Sequence, residues 1–365
     1  MTCGQWMEVA TSLVFQVAFV VAATALAART LRTAANQDRL WSVCIVVLLL
    51  LPAADILLPH LRILSRPAPR KGALIGADES ELTLFWTCIG LWLSGAAVLT
   101  LRLVREVSRL TALFRTAVPV PDGLLTSLQE ALGPELFRVG GRPVRLWFSD
   151  ALRLPSCCQL LRPSILLSRS VESLSLEEIA GVVRHELEHL HARHPLLLFL
   201  QRMAEVVLWP HPAVWWAGRR ASRAREFRCD SAAVDTRSAA ASYLRSILRL
   251  TLVEESPRTG LKTALGFGGE CALIVERVER LASKDWHASV PREGRWRAAS
   301  PILFATLAAV LLWLPVAGPA SRRSLWSPWP TWSATVLRTL GVPARDYEVD
   351  GHRFNPAEFH RSRTR

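Results

Sequence analysis

Long runs of apolar residues are the most regular pattern in this chain. Three occur early, at residues 9–28, 40–61 and 82–101, and a fourth occupies residues 298–320. A helix needs about 20 apolar residues to cross the hydrocarbon core of a bilayer, and each run is long enough. The pattern predicts four transmembrane helices.

Charged residues beside these runs predict their orientation. Basic residues follow the first and third runs and precede the fourth: Arg29 and Arg32; Arg102, Arg105 and Arg109; Lys284, Arg292, Arg295 and Arg297. Because cytoplasmic loops carry an excess of lysine and arginine, both termini are expected outside and the segment 102–297 in the cytoplasm. The basic residues at 62–71, between the second and third runs, do not fit this orientation.

The segment between the third and fourth runs has the patterns of a folded α+β domain. A short helix is expected around residues 124–132, and the alternation at residues 144–148 and 164–167 predicts two strands of a small sheet. Ser175 followed three residues later by Glu178 forms a capping box, so a helix begins there, and Pro195 is expected to end it.

Composition agrees with a membrane protein and argues against nucleic acid as a direct partner. Half of the residues are hydrophobic, and 44 basic against 31 acidic residues give a net charge of +13. No DNA-binding motif accompanies this charge, and arginines beside apolar runs serve as topology signals. The seven cysteines form no spaced framework, which favours reduced thiols in a cytosolic compartment.

The candidate chemistry lies in the capped helix, at His185-Glu186-Leu187-Glu188-His189. Residues at i and i+4 share one face of a helix, so His185 and His189 can point at one ion. This is the HExxH arrangement, in which two neutral histidines bind zinc and the glutamate acts as general base. The alternative is a surface helix that carries two histidines and two acids by chance.

A catalytic zinc ion needs a third protein ligand, and Glu226 is the favoured candidate. Glu226 and Asp230 also lie at i and i+4, so Glu226 can reach the metal while Asp230 orients a histidine ligand. The alternatives are a solvated acidic pair on an arginine-rich helix, or a third ligand among the remaining nearby histidines, namely His191, His194 and His211.

Together these motifs resemble the sensor-transducer metallopeptidases of the BlaR/MecR type and, more distantly, the HtpX and CAAX-prenyl membrane peptidases. The resemblance is carried by the strand at residues 162–167, the helix start at 176–178, the HExxH motif, the segment 212–215, Glu226 with Asp230, and residues 277–281. It implies a mainly α membrane protein: four transmembrane helices with an inserted α+β, gluzincin-like zinc peptidase domain.

The resulting domain organisation has four parts. Residues 1–101 form an N-terminal membrane region, 102–297 a cytosolic zinc peptidase domain, 298–320 the fourth transmembrane helix, and 321–365 a short extracytoplasmic tail. Two departures from the family pattern stand out. His194 occupies a position where the family commonly has aspartate, and the tail is too short for a penicillin-binding sensor domain, so sensing of β-lactams is not expected.

The resemblance implies an integral membrane zinc endopeptidase of the bacterial cytoplasmic membrane. Zinc is held by His185, His189 and Glu226, Glu186 is the general base, and Asp230 supports a ligand. His211 is a weaker candidate as oxyanion donor.

Several partners follow from this interpretation. They are the lipid bilayer, a protein substrate such as a winged-helix transcriptional repressor, and a second copy of the chain in a homodimer. Two other functions stay open, which are a quality-control or prenyl-peptide protease with the same chemistry, and a signalling scaffold that binds its partner without hydrolysis.

Overall fold

The computed structural model describes residues 3–31, 33–57, 77–152, 154–159, 162–234, 236–254, 269–283 and 331–342. Helices dominate this part of the chain. They are α1 (Cys3–Thr30), α2 (Ala34–Leu57), α3 (Ala77–Thr116), α4 (Asp122–Leu132), α5 (Leu176–His191), α6 (His194–Val207), α7 (Pro212–Ala233), α8 (Arg237–Glu254), α9 (Gly269–Ala282) and α10 (Thr331–Thr339). The predicted fourth transmembrane helix, residues 298–320, lies outside the described residues.

Three helices are long and apolar enough to cross a membrane, within the part of the chain that the structure describes. These segments are Ala10–Thr30, Ala34–Leu57 and Thr83–Thr116, and they coincide with the first three predicted runs. The third belongs to α3, which continues without interruption through the boundary predicted between residues 101 and 102. The apolar segment and the first residues of the predicted peptidase domain therefore form one helix.

Helix α2 packs closely against α7, because α7 presents small side chains to it. Ala217, Gly218, Ala221 and Ala224 are all buried along α7. Small residues let two helix backbones approach closely. A Cβ at Gly218 would lie 2.7 Å from Nε2 of Gln201, so α6 also depends on this small residue. The N-terminal apolar region and the middle of the chain thus share one core.

A four-stranded sheet forms the second core. Its strands lie in the order β1-β4-β6-β5, and a separate hairpin pairs β2 with β3. The bounds are β1 (Val118–Pro119), β2 (Arg138–Val139), β3 (Arg142–Pro143), β4 (Arg145–Ser149), β5 (Ser156–Cys158) and β6 (Ser164–Ser168). Strands β4 and β6 are parallel, as their register shows, and the remaining pairs of this sheet are antiparallel. The two predicted strands are confirmed as β4 and β6.

Helix α5 packs on this sheet through an apolar stripe. Val183, Leu187 and Leu190 are buried in the same cluster as Ile165 and Leu167 of β6. The opposite side of α5 is then directed away from the sheet, because residues three and four apart share one face. The fold therefore fixes both the position and the rotation of the helix that carries the HExxH motif.

Local interactions determine where α5 begins and where it ends. The predicted capping box is confirmed: the Ser175 hydroxyl accepts from the backbone N–H of Glu178, and the Glu178 carboxylate accepts from the backbone N–H of Ser175. At the other end the prediction was wrong by several residues. Helix α5 ends at His191, since Arg193 takes a left-handed conformation with φ of 59°, and Pro195 lies in the first turn of α6.

Loss of this cap should destabilise the peptidase region. In Ser175→Ala we expect unfolding to become easier by about 1 kcal/mol, because the backbone N–H of Glu178 loses its acceptor. For a domain of this size that corresponds to a melting temperature lower by about 2–4 °C, measured in detergent micelles by intrinsic fluorescence.

The matched control is Ser127→Ala, where a partly buried serine inside α4 bonds the backbone of its own helix. Alanine is the better helix former there, so no loss of stability is expected. Equal melting temperatures for Ser175→Ala and the unmodified chain would contradict the role assigned to the cap.

Candidate metal centre

Helices α5 and α7 bring two histidines and one glutamate together at a single point. Nε2 of His185 lies 3.2 Å from Nε2 of His189. The Glu226 carboxylate faces both rings, with Oε2 3.5 Å from Nε2 of His185 and Oε1 3.6 Å from Nε2 of His189. One ligand atom from each residue lies within 4.8 Å of the others, a spacing that can hold a metal ion.

The second nitrogen of His185 is held by a buried polar network. Its Nδ1 lies 2.7 Å from the Tyr243 hydroxyl and 3.2 Å from Oδ1 of Asp230. The Tyr243 hydroxyl in turn donates to Asp230 at 2.9 Å. The Asp230 carboxylate can only accept, so the Tyr243 hydroxyl uses its proton on Asp230 and its oxygen accepts from Nδ1–H of His185. In the neutral ring the lone pair then lies on Nε2, where it can bind a cation.

Arg277 of α9 binds both acidic side chains of α7. It donates to Asp230 through Nε at 2.9 Å and Nη2 at 2.7 Å, while Nη1 lies 3.0 Å from Oε2 of Glu226. This bidentate pairing fixes the orientation of the Asp230 carboxylate. A third element of the fold thereby supports the two that carry the candidate ligands.

The second nitrogen of His189 is held by a different chain of contacts. Its Nδ1 lies 2.9 Å from Nδ1 of His194, whose Nε2 lies 3.2 Å from Oδ2 of Asp38. Asp38 belongs to α2 and also accepts from Nη1 of Arg228 at 3.0 Å. Each candidate histidine ligand therefore has a hydrogen-bond partner behind it, and each of these chains of contacts ends at a carboxylate.

The pKa values of the cluster reflect opposing effects of burial and charge. Burial alone would raise the pKa of Glu226, but its hydrogen bond with His185 and the charge of Arg277 hold it well below the usual range. Burial would lower the pKa of His185, yet hydrogen bonds with Asp230 and Glu226 raise it to about 9, so a metal ion bound at Nε2 takes the place of a proton. Burial keeps the pKa of His189 well below the ordinary value. Glu226 is thus ionised and available as a ligand.

A cleft of about 560 Å³ opens at this cluster. It is lined by the candidate ligands, by Glu186, and by apolar side chains that include Leu103 and Val107 of α3 and Phe199 of α6. Cys157 of the edge strand β5 also lines it. Burial raises the pKa of Glu186, and the nearby charge of His185 acts in the opposite direction. Glu186 therefore borders open space next to the candidate ligands.

The other histidines considered as third ligand are placed differently. His191 bonds the Leu187 carbonyl of its own helix. His211 caps α7, where Nδ1 accepts from the backbone N–H of Ala213 and Nε2 lies 3.0 Å from the Val14 carbonyl. It is not among the residues lining the cleft, so the structure does not bring this candidate oxyanion donor to the site.

A second group of potential ligands consists of His189, His194 and Cys229. Burial and the nearby acids raise the pKa of the Cys229 thiol well above its usual range, and only a thiolate binds a metal ion well, so this group is the weaker candidate. All three members of the group of His185, His189 and Glu226 line the cleft, and a catalytic metal site requires an open position for water or substrate.

Sequence reasoning missed Asp38 and Tyr243 as residues of the site, and it did not assign a role to Arg277. Tyr243 is one of only two tyrosines in the chain, and a single aromatic hydroxyl gives no spacing signal. Asp38 stands just before an apolar run and belongs to no motif that could assign it a role. Arg277 contributed to the family resemblance without an assigned contact.

Comparisons with known proteins find a matching family and a curated relative of this chain. A family model described as BlaR1 peptidase M56 matches residues 77–281, more than half of the chain. Regulatory protein BlaR1 of Bacillus licheniformis is 24% identical over 222 residues. That alignment covers 60% of this chain and 34% of the relative, so the matched part spans about a third of the length of that curated protein.

Removal of the Tyr243 hydroxyl should weaken metal binding. In Tyr243→Phe, Nδ1 of His185 keeps only the longer contact with Asp230, and loss of such a supporting contact typically costs 10–100-fold in metal affinity. We expect a zinc dissociation constant about tenfold higher, measured by competition with a chromogenic chelator.

Ser246→Ala provides the control, because this buried hydroxyl lies on the same helix and bonds only the Tyr243 carbonyl. Its zinc affinity should be unchanged. If both variants bind zinc like the unmodified chain, Tyr243 does not support the metal centre.

Proposed function

The chain belongs to the BlaR1 peptidase M56 family, and from this premise we propose that it is an integral-membrane zinc endopeptidase. The observation that carries the proposal is the convergence of His185, His189 and Glu226 on one point beside an open cleft. Two imidazole nitrogens and one carboxylate oxygen are a ligand set typical of zinc peptidases.

The surroundings of these three residues fit a divalent cation. The far nitrogens of both rings are engaged by hydrogen bonds, so both Nε2 lone pairs can point to the same place. Glu226 is ionised, which supplies one negative charge against the cation. A zinc ion held there would polarise the scissile carbonyl and lower the pKa of the attacking water.

Glu186 is the general base in this proposal. It follows His185 directly, lines the cleft, and has a pKa above the usual value for glutamate because it is buried. A base with a raised pKa accepts a proton more readily and can return it to the leaving amine. Asp230, Tyr243 and Arg277 hold His185 and Glu226 in place.

The proposed topology places the peptidase domain on the cytoplasmic side of a bacterial membrane. Support comes from the arginines that follow the first and third apolar segments and from large apolar side chains exposed on α3, such as Leu91 and Leu93. A fourth span at residues 298–320 and the assignment of 102–297 as a gluzincin-like domain belong to the same proposal.

As substrate we propose a cytosolic transcriptional repressor. Support comes from the similarity to a protein named as regulatory, although the match covers a third of that protein. A quality-control or prenyl-peptide protease would use the same residues on another substrate. The complete HExxH motif weighs against a scaffold without hydrolysis, because binding alone needs no general base.

Glu186→Gln should abolish proteolysis while the metal stays bound. Glutamine keeps the shape of the side chain but cannot accept the proton, so a loss in kcat of about 10²–10⁴-fold is expected. The assay follows cleavage of a small winged-helix repressor and of an unfolded protein such as casein by the purified full chain.

The control is Glu177→Gln, an exposed acid on the same helix, which should retain full activity. Metal content is measured in parallel on both variants. Substrate cleavage that persists in Glu186→Gln would refute the assigned mechanism, and cleavage of casein without the repressor would favour the quality-control alternative.

Glu226→Ala should lose zinc, because two histidines alone leave the ion with too few protein ligands. We expect zinc stoichiometry, measured by atomic emission after dialysis, to fall well below one per chain. Glu279→Ala, an exposed acid on α9, serves as the control and should keep its metal. Unchanged zinc in Glu226→Ala would reject this residue as a ligand.

A further inference from the structure

One carboxylate at the metal centre comes from outside the segment that matches the peptidase family. Asp38 lies near the N-terminal end of α2, in a helix long and apolar enough to cross a membrane. Its side chain is only 2% exposed. Among the described residues its Oδ2 meets two partners, Nε2 of His194 at 3.2 Å and Nη1 of Arg228 at 3.0 Å.

The direction of each hydrogen bond in this chain follows from the requirement for a free nitrogen at the metal. A neutral imidazole carries one N–H and one lone pair. If Nε2 of His189 offers its lone pair to a cation, Nδ1 of His189 carries the proton and donates to Nδ1 of His194. His194 must then accept at Nδ1 and carry its own proton on Nε2.

The proton on Nε2 of His194 points at Asp38. Oδ2 of Asp38 is an acceptor without a proton of its own, so it suits only this tautomer of His194. The opposite tautomer would turn a lone pair toward the carboxylate and an N–H toward Nδ1 of His189. That arrangement would force the His189 proton onto Nε2, where the metal must bind.

Asp38 is held in place by α7 and α5 as well. Arg228 donates to Asp38 through Nη1 and to Glu188 of the HExxH helix through Nε at 2.8 Å. Its positive charge offsets the cost of burying the Asp38 carboxylate. Sγ of Cys229 also lies 3.5 Å from Nδ1 of His194.

We propose that Asp38 is a positioning residue of the metal centre, which acts through His194 to keep Nε2 of His189 free for zinc. The inference rests on the proposed zinc site. It assigns the membrane-region helix α2 a direct part in the metal affinity of the peptidase domain.

The test is a double-mutant cycle on metal affinity. Zinc dissociation constants are measured by chelator competition on the full chain in detergent micelles, in a Glu186→Gln background, so that hydrolysis plays no part. Asp38→Ala should weaken binding about tenfold and His194→Ala by 10–100-fold. Because Asp38 acts through His194, adding Asp38→Ala to His194→Ala should cause no further loss.

A purely structural salt bridge between α2 and α7 would give a different result, namely the same loss from Asp38→Ala with and without His194. That outcome, or an unchanged zinc affinity in Asp38→Ala, overturns the proposal. The matched control is Asp55→Asn, which removes an acid from the other end of α2, about 25 Å away. Its zinc affinity should be unchanged.

Asp38→Asn covers the case in which the alanine variant does not fold. Asparagine keeps the volume and an acceptor oxygen but loses the charge, and neutral hydrogen bonds are about half as strong as charged ones. We expect a smaller loss that again disappears in the His194→Ala background, and persistence of that loss overturns the proposal. If the unmodified chain itself binds no zinc, the proposed function fails; if it binds zinc and Asp38 has no effect, only this inference fails.

Discussion

The site depends on two carboxylates one turn apart on α7, the buried Asp230 and the partly buried Glu226. A buried carboxylate is costly unless it is paired and hydrogen-bonded, and two of them on one face also repel each other. Arg277 forms ion pairs with both carboxylates, and the Tyr243 hydroxyl donates a further hydrogen bond to Asp230. Loss of the Arg277 cation would raise the pKa of both acids, which would make Glu226 a poorer metal ligand.

Helix α7 connects these two acids to the packing of the apolar N-terminal region. Its first half carries small residues that pack against α2, and its second half carries Glu226, Arg228 and Asp230. The two halves are parts of one continuous helix, so packing in the apolar region sets the position of the acids at the site. Close packing also leaves little freedom for a shift of one helix past another.

Local features of the fold and of the site could be predicted from the sequence, and long-range contacts could not. The capping box at Ser175, the strands β4 and β6, and the shared face of His185 and His189 all follow from spacings of two to four residues. Tyr243 and Asp38 reach the site from 58 and 156 positions away in the chain. Contacts between residues so far apart leave no periodic pattern in the sequence, because they depend on how α8 and α2 pack on α7 and α5. The end of α5 was misjudged because Arg193, two residues before Pro195, adopts a left-handed conformation that spacing rules do not indicate.

His194 connects His189 of the HExxH motif to a carboxylate on another helix, Asp38 of α2. The segment 77–281 that matches the peptidase family therefore does not contain all of the polar surroundings of its own HExxH motif. A fragment of this chain that begins after α2 would keep every candidate metal ligand and lose the carboxylate acceptor at the end of the chain of contacts behind His189.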